Sequence, residues 1–270
     1  MERMRPRGRA LRQLLAIAVL AAAVTTGIGP IAHPGAVSAS TADDMEAQLL
    51  TLINNARSSK GLTPLRKWSK LADMAGAHSA SMAKNRTLAH TSCLSCTFNS
   101  YGIQWYSIGE VLASSSYPWG SQAAQTIFDA WKGSSTHWSI LMSNKFNYIG
   151  LGVALSSNGR TYATGEVSES VDHSLPWAKM KSSSRAGSTA YWYWSGADTK
   201  LQTHTAGLKN FDVQYRVESG TWSTIRSGTT ATSLSLGSRA GGHYYGLRVR
   251  ARDNRGYVSA WSAEMRVWVP

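Results

Sequence analysis

The spacing of the apolar residues changes partway along the chain, and this change restricts the possible folds more than any other feature. In the first half, apolar residues recur every three or four positions, as in an amphipathic helix. Three helices are predicted: one capped by Asp43-Asp44 and ended by Gly61, one from Ser69 to Arg86, and one from about Ser121 to Lys132. From residue 190 onward apolar and polar residues alternate, as in Phe211 to Val217. The chain therefore needs two different kinds of core.

Two predicted strands end the first unit and set its class. Tyr148 to Leu155 and Arg160 to Val167 flank Asn158-Gly159, a pair typical of a tight hairpin turn. The pattern between residues 87 and 118 is mixed and indicates mostly loop. Because helices come first and an antiparallel hairpin last, the fold class is α+β, followed by an all-β sandwich built from the short alternating strands.

The first 39 residues are typical of a secretory signal. Five arginines precede an apolar run from Leu14 to Val24, which is about half the length that spans a bilayer, and Val37-Ser38-Ala39 offers a cleavage site. Residues 1–39 are therefore predicted to be a signal peptide. The mature protein is expected to be secreted and not integral to a membrane. The alternative is an uncleaved amphipathic anchor.

The positive charge of the chain is concentrated towards its end. The formal net charge is +13, and residues 171–270 alone carry thirteen basic and six acidic side chains. Outside a cell such a charge favours an anionic cell-envelope polymer or lipid as partner. Nucleic acid is not expected, because export removes it as a partner and no recognition motif is present.

Residues 168–189 are rich in Ser, Lys, His and Pro and are predicted to form a flexible, basic linker. The following residues 190–270, which close with Ser259-Ala260-Trp261-Ser262, resemble a fibronectin type III domain. This resemblance implies a β-sandwich that acts as a spacer or binding module. Three of its arginines share one strand face and either stack with Trp222 or Trp261 or form an anion-binding face: Arg248, Arg250 and Arg252.

Three residues of the first unit are candidates for one polar site: His90, Glu110 and His137. Two imidazoles and one carboxylate are ligands that suit zinc or another divalent ion, with one position left open for water. Without a metal the histidines still exchange protons near neutral pH, and Glu110 fixes a tautomer. His78 shares a helix face with apolar residues and is interpreted as a core residue or as support for this site.

Several short motifs occur in an order that resembles the CAP superfamily, named for cysteine-rich secretory proteins, antigen 5 and pathogenesis-related proteins. These motifs are Leu52-Ile53-Asn54, Ala77-His78-Ser79, His90, Gly109-Glu110, Trp131, His137 and Ile149-Gly150-Leu151-Gly152-Val153. The resemblance covers residues 43–167 and is to the short bacterial secreted form. It implies an α–β–α sandwich with a cleft of two histidines and two glutamates, sometimes around zinc.

The sequence departs from this family pattern at three positions. The second glutamate of the family corresponds to Ser134, Val111 replaces the usual Asn, and Trp138 stands where a basic residue is frequent. A general base needs an acceptor beside water, and a dication needs charge compensation, so the loss of one carboxylate weakens both metal binding and hydrolysis.

Two further features lie near the candidate site. Cys93 and Cys96 are predicted to form a local disulfide; a zinc site with His90 is an alternative, and a thioredoxin-like role lacks its strand and helix. Trp105 and Tyr106, with Ser134, are predicted ligand-binding residues, whereas the alternative for the aromatic residues is that they fill the core beneath a loop.

Three functions remain open from the sequence. The leading hypothesis is a secreted CAP-domain protein whose polar cleft binds a lipid, glycan or divalent metal at the cell envelope, targeted by the basic sandwich. The second is a weak metal-dependent hydrolase of peptide or wall material, with Glu110 as base and His90 and His137 as ligands. The third is an adhesion protein without catalysis. Whether the protein is an enzyme is left undecided.

Overall fold

A computed structural model describes residues 41–270, so the predicted signal peptide lies outside the described residues. The helices are α1 (Ala42–Ser59), α2 (Ser69–Asn85), α3 (Leu94–Ser100), α4 (Ser121–Gly133) and α5 (Ser135–Leu141). The strands of the first unit are β1 (Arg66–Lys67), β2 (Ser107–Ser115), β3 (Tyr148–Leu155) and β4 (Thr161–Glu169). The strands of the second unit are β5 (Trp177–Ala186), β6 (Thr189–Ala197), β7 (Leu208–Val217), β8 (Ser223–Thr229), β9 (Ser233–Leu236), β10 (His243–Asp253) and β11 (Met265–Val269).

The first unit has three layers, and the predicted α–β–α sandwich is confirmed. Its sheet has the strand order β1-β3-β4-β2. Helices α1 and α4 cover one face, where Leu49, Ile127 and Trp131 join a single apolar core. Helix α2 covers the other face and packs along β3 and β4. Helix α1 begins with a capping box, in which Thr41 rather than Asp43 is the capping residue and Asp44 is its partner.

Helix α2 contacts the sheet with its backbone, because β3 presents two glycines to it. A Cβ atom added to Gly150 would overlap the backbone of Leu71 and Ala72, and one added to Gly152 would overlap the backbone of Gly76. Backbone atoms in the middle of a helix cannot move aside as the end of a side chain can. The two glycines of β3 therefore set the distance between α2 and the sheet.

The expectation that residues 87–118 are mostly loop is wrong. Helix α3 and the nine-residue strand β2 lie in this segment. Residues 109–113 of β2 are all buried, because helices cover both faces of the sheet. Strands with two covered faces do not alternate between polar and apolar residues, so the period-two signal was missing.

The second unit is a sandwich of a three-stranded sheet, β5-β6-β9, and a four-stranded sheet, β11-β10-β7-β8. Trp192 and Phe211 pack with Val213, Leu247 and Val249 between the two sheets. The prediction of an all-β sandwich is confirmed. Within residues 41–270, none of the helices combines the length and apolar character needed to cross a membrane.

The flexible linker predicted for residues 168–189 is not present as such. Its second half forms β5, a full strand of the sandwich whose exposed residues are mostly Ser, Lys and Arg, with Trp177 at its start. The connection between β6 and β7 also docks on the first unit, where Leu201 joins the apolar cluster of Leu71 and Met74. The backbone N–H of Thr63 donates to Gln202 Oε1 at 2.8 Å across this junction. The two units therefore pack directly against each other.

We expect Gly152→Ala to reduce the free energy of unfolding by about 3 kcal/mol or more, because the added methyl group meets the backbone of α2. The matched control is Gly76→Ala on α2 itself, where an added Cβ meets nothing within 4 Å and Ala gains up to about 1 kcal/mol of helix propensity. Denaturant unfolding measures both. Equal stability of the two variants would contradict the close approach of α2 to β3.

Candidate functional site

The structure brings His90, Glu110 and His137 together. Glu110 lies on β2, His90 in the segment between α2 and α3, and His137 on α5. His90 Nδ1 is 2.7 Å from Glu110 Oε1, and the His90 and His137 ring centroids are 6.0 Å apart. Glu110 is 6% exposed, whereas 61% of the His90 side chain is exposed. We call these three residues the His–Glu cluster; it consists of a buried carboxylate beneath an accessible imidazole.

Thr91 holds the Glu110 carboxylate in its ionised form. Its backbone N–H donates to Oε1 at 3.0 Å, and its hydroxyl donates to Oε2 at 2.6 Å. Burial alone would raise the pKa of Glu110, but the hydrogen bonds from Thr91 and His90 outweigh burial, and the pKa is lowered. Because the ionised carboxylate only accepts, His90 donates through Nδ1 and its Nε2 remains for a ligand.

His78 supports the cluster from α2, in agreement with its interpretation as a supporting residue. Its Nε2 donates to the carbonyl oxygen of Ala89 at 3.0 Å, and its Nδ1 is 3.2 Å from the hydroxyl of Thr91. The ring therefore ties α2 to the segment that carries His90. Without His78, residues 89–91 would lose both of these contacts to α2.

The buried carboxyl group of Glu166 was missed by the sequence reasoning. Glu166 on β4 is paired with Glu110 on β2, so both side chains lie on the sheet face below α2. It is fully buried, and within the described residues neither carboxyl oxygen has a hydrogen-bond partner. Burial first, and then the charge of Glu110, raise the pKa of Glu166 to about 9. The pair therefore holds one proton at neutral pH, on Glu166.

Ser134, which the sequence leads us to expect in place of a second glutamate, caps a helix in the structure. Its hydroxyl accepts from the backbone N–H of His137 at 3.4 Å and caps α5. The other end of α5 is fixed by Arg57 of α1, which donates to the carbonyl oxygen of Leu141 at 2.8 Å. Burial, and then the neighbouring His90, lower the pKa of His137. Helix α5 thus presents an uncharged imidazole to His90 at neutral pH.

The donor set does not fit the three-ligand zinc site considered for the sequence. Between residues 41 and 270, no three His, Cys, Asp or Glu side chains are grouped so as to hold a metal ion. Glu110 already accepts three hydrogen bonds, from His90 and twice from Thr91. It therefore orients an imidazole and is not placed as a ligand, which leaves the two histidines without a carboxylate.

Cys93 and Cys96 form a disulfide at the start of α3. A zinc site that uses both thiolates with His90 is therefore inconsistent with this structure. The disulfide begins three residues after His90, and the carbonyl oxygen of Cys93 accepts from the Thr97 hydroxyl at 3.0 Å.

The structure places Trp105 and Tyr106 apart from the His–Glu cluster. They line a groove of about 570 Å³ whose other lining residues are Asn99, Ile103, Gln104 and Val171. None of these residues belongs to the cluster. The aromatic pair and the histidines therefore form separate candidate sites, which the sequence analysis had joined.

The first unit is similar to a known protein family. Residues 50–167 match the family described as "CAP: Cysteine-rich secretory protein family". No curated protein sequence is significantly similar to this chain.

Among solved structures, an extracellular protein of Bacillus anthracis that contains an SCP domain is 21% identical over 47% of this chain and 41% of its own, with a TM-score of 0.41. An outer surface protein of Borrelia burgdorferi is 18% identical over 49% of this chain and 99% of its own, with a TM-score of 0.42. An Fn3-like protein of Clostridium thermocellum is 26% identical over 35% of this chain and 88% of its own, with a TM-score of 0.25. The chain thus spans about two fifths of the Bacillus protein.

We expect Thr91→Val to lower the free energy of unfolding by about 2 kcal/mol at neutral pH, because a buried carboxylate loses a hydroxyl donor. Thr91→Ser keeps the hydroxyl and is the matched control. The pKa of Glu110 is depressed, so its hydrogen bonds stabilise the fold above the unfolded pKa near 4.5 and are lost as the pH falls. The difference between the two variants should shrink in acid; a difference independent of pH would contradict this role of Thr91.

We expect Glu166→Gln to change how stability depends on pH. The folded pKa of Glu166 is raised to about 9 from 4.5, so the unfolded chain releases this proton first and wild-type stability falls as pH rises between these values. The slope is at most about 1.4 kcal/mol per pH unit. Glutamine carries no such proton. The free energy of unfolding of the variant, measured in urea, is therefore expected to rise relative to that of wild type as the pH rises. Parallel pH profiles would show that Glu166 is not a buried neutral acid.

Proposed function

We propose that the protein acts outside the cell as a binding protein of the cell envelope, since residues 50–167 match the CAP family. The ligand makes polar contacts with the imidazoles of His90 and His137, and anionic envelope polymers or lipids are its expected source. The expected export and the envelope partner come from the signal-like residues 1–39 and from the excess of basic residues.

The contact between Glu110 and His90 is the observation that carries this proposal. Burying a carboxylate is unfavourable unless it is hydrogen-bonded, and one donor to Glu110 is an imidazole that is 61% exposed. An apolar residue at position 110 would fill the same buried space without needing any hydrogen bond. The arrangement orients one accessible ring nitrogen, with a second imidazole 6.0 Å away. Such a pair can hydrogen-bond a ligand from two sides.

The second unit contributes positive charge through a stack of arginine and tryptophan side chains. The guanidinium of Arg248 lies 4.3 Å from the ring centroid of Trp222 and 4.9 Å from that of Trp261, and Arg216 and Arg250 continue the stack on either side. The predicted interleaving is confirmed for Arg248 and Arg250, whereas among the described residues Arg252 makes no such ring contact and lies 3.5 Å from Asp212. Each stacked arginine also donates a hydrogen bond to a polar side chain. The acceptor is Glu264 for Arg216, Gln214 for Arg248 and Asp212 for Arg250. These contacts favour a structural stack over an anion-binding face.

The excess charge of residues 171–270 still attracts anionic surfaces at long range. This part of the sequence contains thirteen basic and six acidic side chains. Attraction of this kind brings the protein to a polymer without a specific pocket and is weakened by salt. Specific recognition is therefore assigned to the His–Glu cluster, and general attraction to the sandwich.

A hydrolase is the second candidate, favoured by the hydrogen bond between a carboxylate and an imidazole. If the site is catalytic, His90 is the base and Glu110 orients it, because the carboxylate is buried and its oxygens already accept hydrogen bonds. This differs from the earlier hypothesis of Glu110 as base. Ser134 is occupied as a helix cap, so no serine is assigned as nucleophile.

Sedimentation with purified insoluble cell walls that retain their anionic polymers tests the proposal. The double variant His90→Ala with His137→Ala is expected to bind at least about tenfold more weakly than wild type, a difference of about 1.4 kcal/mol. His243→Ala is the matched control, because His243 also lies near a glutamate, Glu218, at 3.6 Å and is far along the chain. Equal retention of the double variant and wild type would overturn a binding role for the cluster.

The same wall preparation distinguishes the rival functions. Soluble fragments released by wild type and not by Glu110→Gln would establish a hydrolase, whereas equal release by both proteins removes that candidate. Retention that high salt abolishes equally in wild type and in the double variant would indicate adhesion by charge alone.

A further inference from the structure

The groove lined by Trp105 and Tyr106 is a second surface feature, distinct from the His–Glu cluster. Its volume is about 570 Å³, and it is lined by Asn99, residues 103–106 and Val171. Tyr106 precedes Glu110 by four residues along the extended chain, which corresponds to about 13 Å. A ligand in this groove therefore meets different side chains from a ligand at His90.

Both aromatic rings of the groove are held by neighbouring side chains. Trp105 Nε1 donates to Asn99 Oδ1 at 3.1 Å, which fixes the indole ring relative to α3. The Tyr106 ring lies 4.6 Å from the imidazole of His204, and His204 Nε2 is 3.0 Å from Glu169 Oε1. His204 belongs to the connection between β6 and β7, so the second unit helps to position Tyr106. The rings are thus oriented before any ligand binds.

Tyr106 contributes little to a core, since it is 59% exposed. The alternative considered for the sequence, in which these aromatic residues fill the core beneath a loop, applies in part to Trp105, which packs against the cluster of Leu71 and Met74. It does not apply to Tyr106. A large aromatic side chain that is held in place and left in solvent is suited to contact with a ligand.

The polar groups of the groove are neutral. Asn99 and Gln104 supply amide groups, and the six lining residues include no acid and no base. Gln104 is exposed, and within the described residues its side-chain amide takes part in no hydrogen bond. Two flat rings beside the amide of Gln104 and the amide N–H groups of Asn99 match a ligand that has apolar C–H faces and many hydroxyls. A lipid tail would cover these amides without hydrogen bonds, which is unfavourable.

We propose that this groove binds a neutral saccharide chain of β-1,4-linked pyranose units. In such units the ring substituents are equatorial, so each sugar presents a flat C–H face to an aromatic ring and directs its hydroxyls sideways. Trp105 and Tyr106 stack on successive faces, and the amides of Asn99 and Gln104 hydrogen-bond the hydroxyls. The absence of charge in the lining separates this site from the proposed recognition of anionic polymers.

Calorimetric titration of the protein with soluble pentamers of β-1,4-linked glucose and of β-1,4-linked N-acetylglucosamine tests the inference. Wild type is expected to bind at least one pentamer, and Tyr106→Ala to bind it at least about tenfold more weakly. Tyr106→Phe keeps the ring and should retain most of the affinity. Tyr193→Ala on the sandwich removes a tyrosine that is also exposed, and should leave the affinity unchanged.

The folding of each variant is checked by its unfolding midpoint, and Tyr106→Ala is chosen because its exposed ring supports little of the fold. Failure of wild type to bind either pentamer would overturn the inference, as would equal binding by wild type and Tyr106→Ala. Loss of binding to phosphatidylcholine vesicles in Tyr106→Ala, without binding of either sugar by wild type, would instead assign the groove to lipid. These titrations use neutral soluble sugars, so their failure leaves the wall sedimentation result of the His–Glu cluster unaffected.

Discussion

The close approach of α2 to the sheet is the constraint on which the candidate site depends. Gly150 and Gly152 have no side chains, so the helix backbone lies directly on β3. Ser79 of α2 can then donate to the carbonyl oxygen of Gly152 at 2.8 Å. At this separation His78 reaches Thr91, and Thr91 reaches Glu110. A helix one methyl group further away would lose this chain of hydrogen bonds.

The space beneath α2 is also where the first unit buries two carboxyl groups side by side. Glu110 is ionised because Thr91 and His90 donate to it, and Glu166 remains neutral because nothing comparable reaches it. Two residues of one type thus differ in charge through their surroundings alone. Burial of this kind is costly for stability, and it is more readily explained by the accessible imidazole that Glu110 orients than by packing.

The second unit contacts the first unit through several side chains. Trp68 of the first unit stacks on His173 at 4.4 Å, and His173 Nδ1 lies 3.3 Å from the hydroxyl of Tyr257 in the sandwich. The connection between β6 and β7 reaches the first unit as well, through Leu201 and Gln202. Because His204 of this connection contacts Tyr106, the aromatic groove depends on both units. The arginine and tryptophan stack, in contrast, lies within the sandwich and stabilises it.

The sequence by itself determined the three longer helices α1, α2 and α4, the hairpin, the change to an all-β unit and the choice of His90, Glu110 and His137 as candidate residues. These features follow from the spacing of residues and from the order of motifs, both of which can be read directly from the sequence. Tertiary structure alone decided that Glu166 faces Glu110, that Trp105 and Tyr106 form a separate groove, and that residues 177–186 are a strand. The physical reason is that strand pairing, burial and the covering of both sheet faces depend on residues far apart in sequence, and a polar residue such as Glu166 gives no local sign that a helix will cover it.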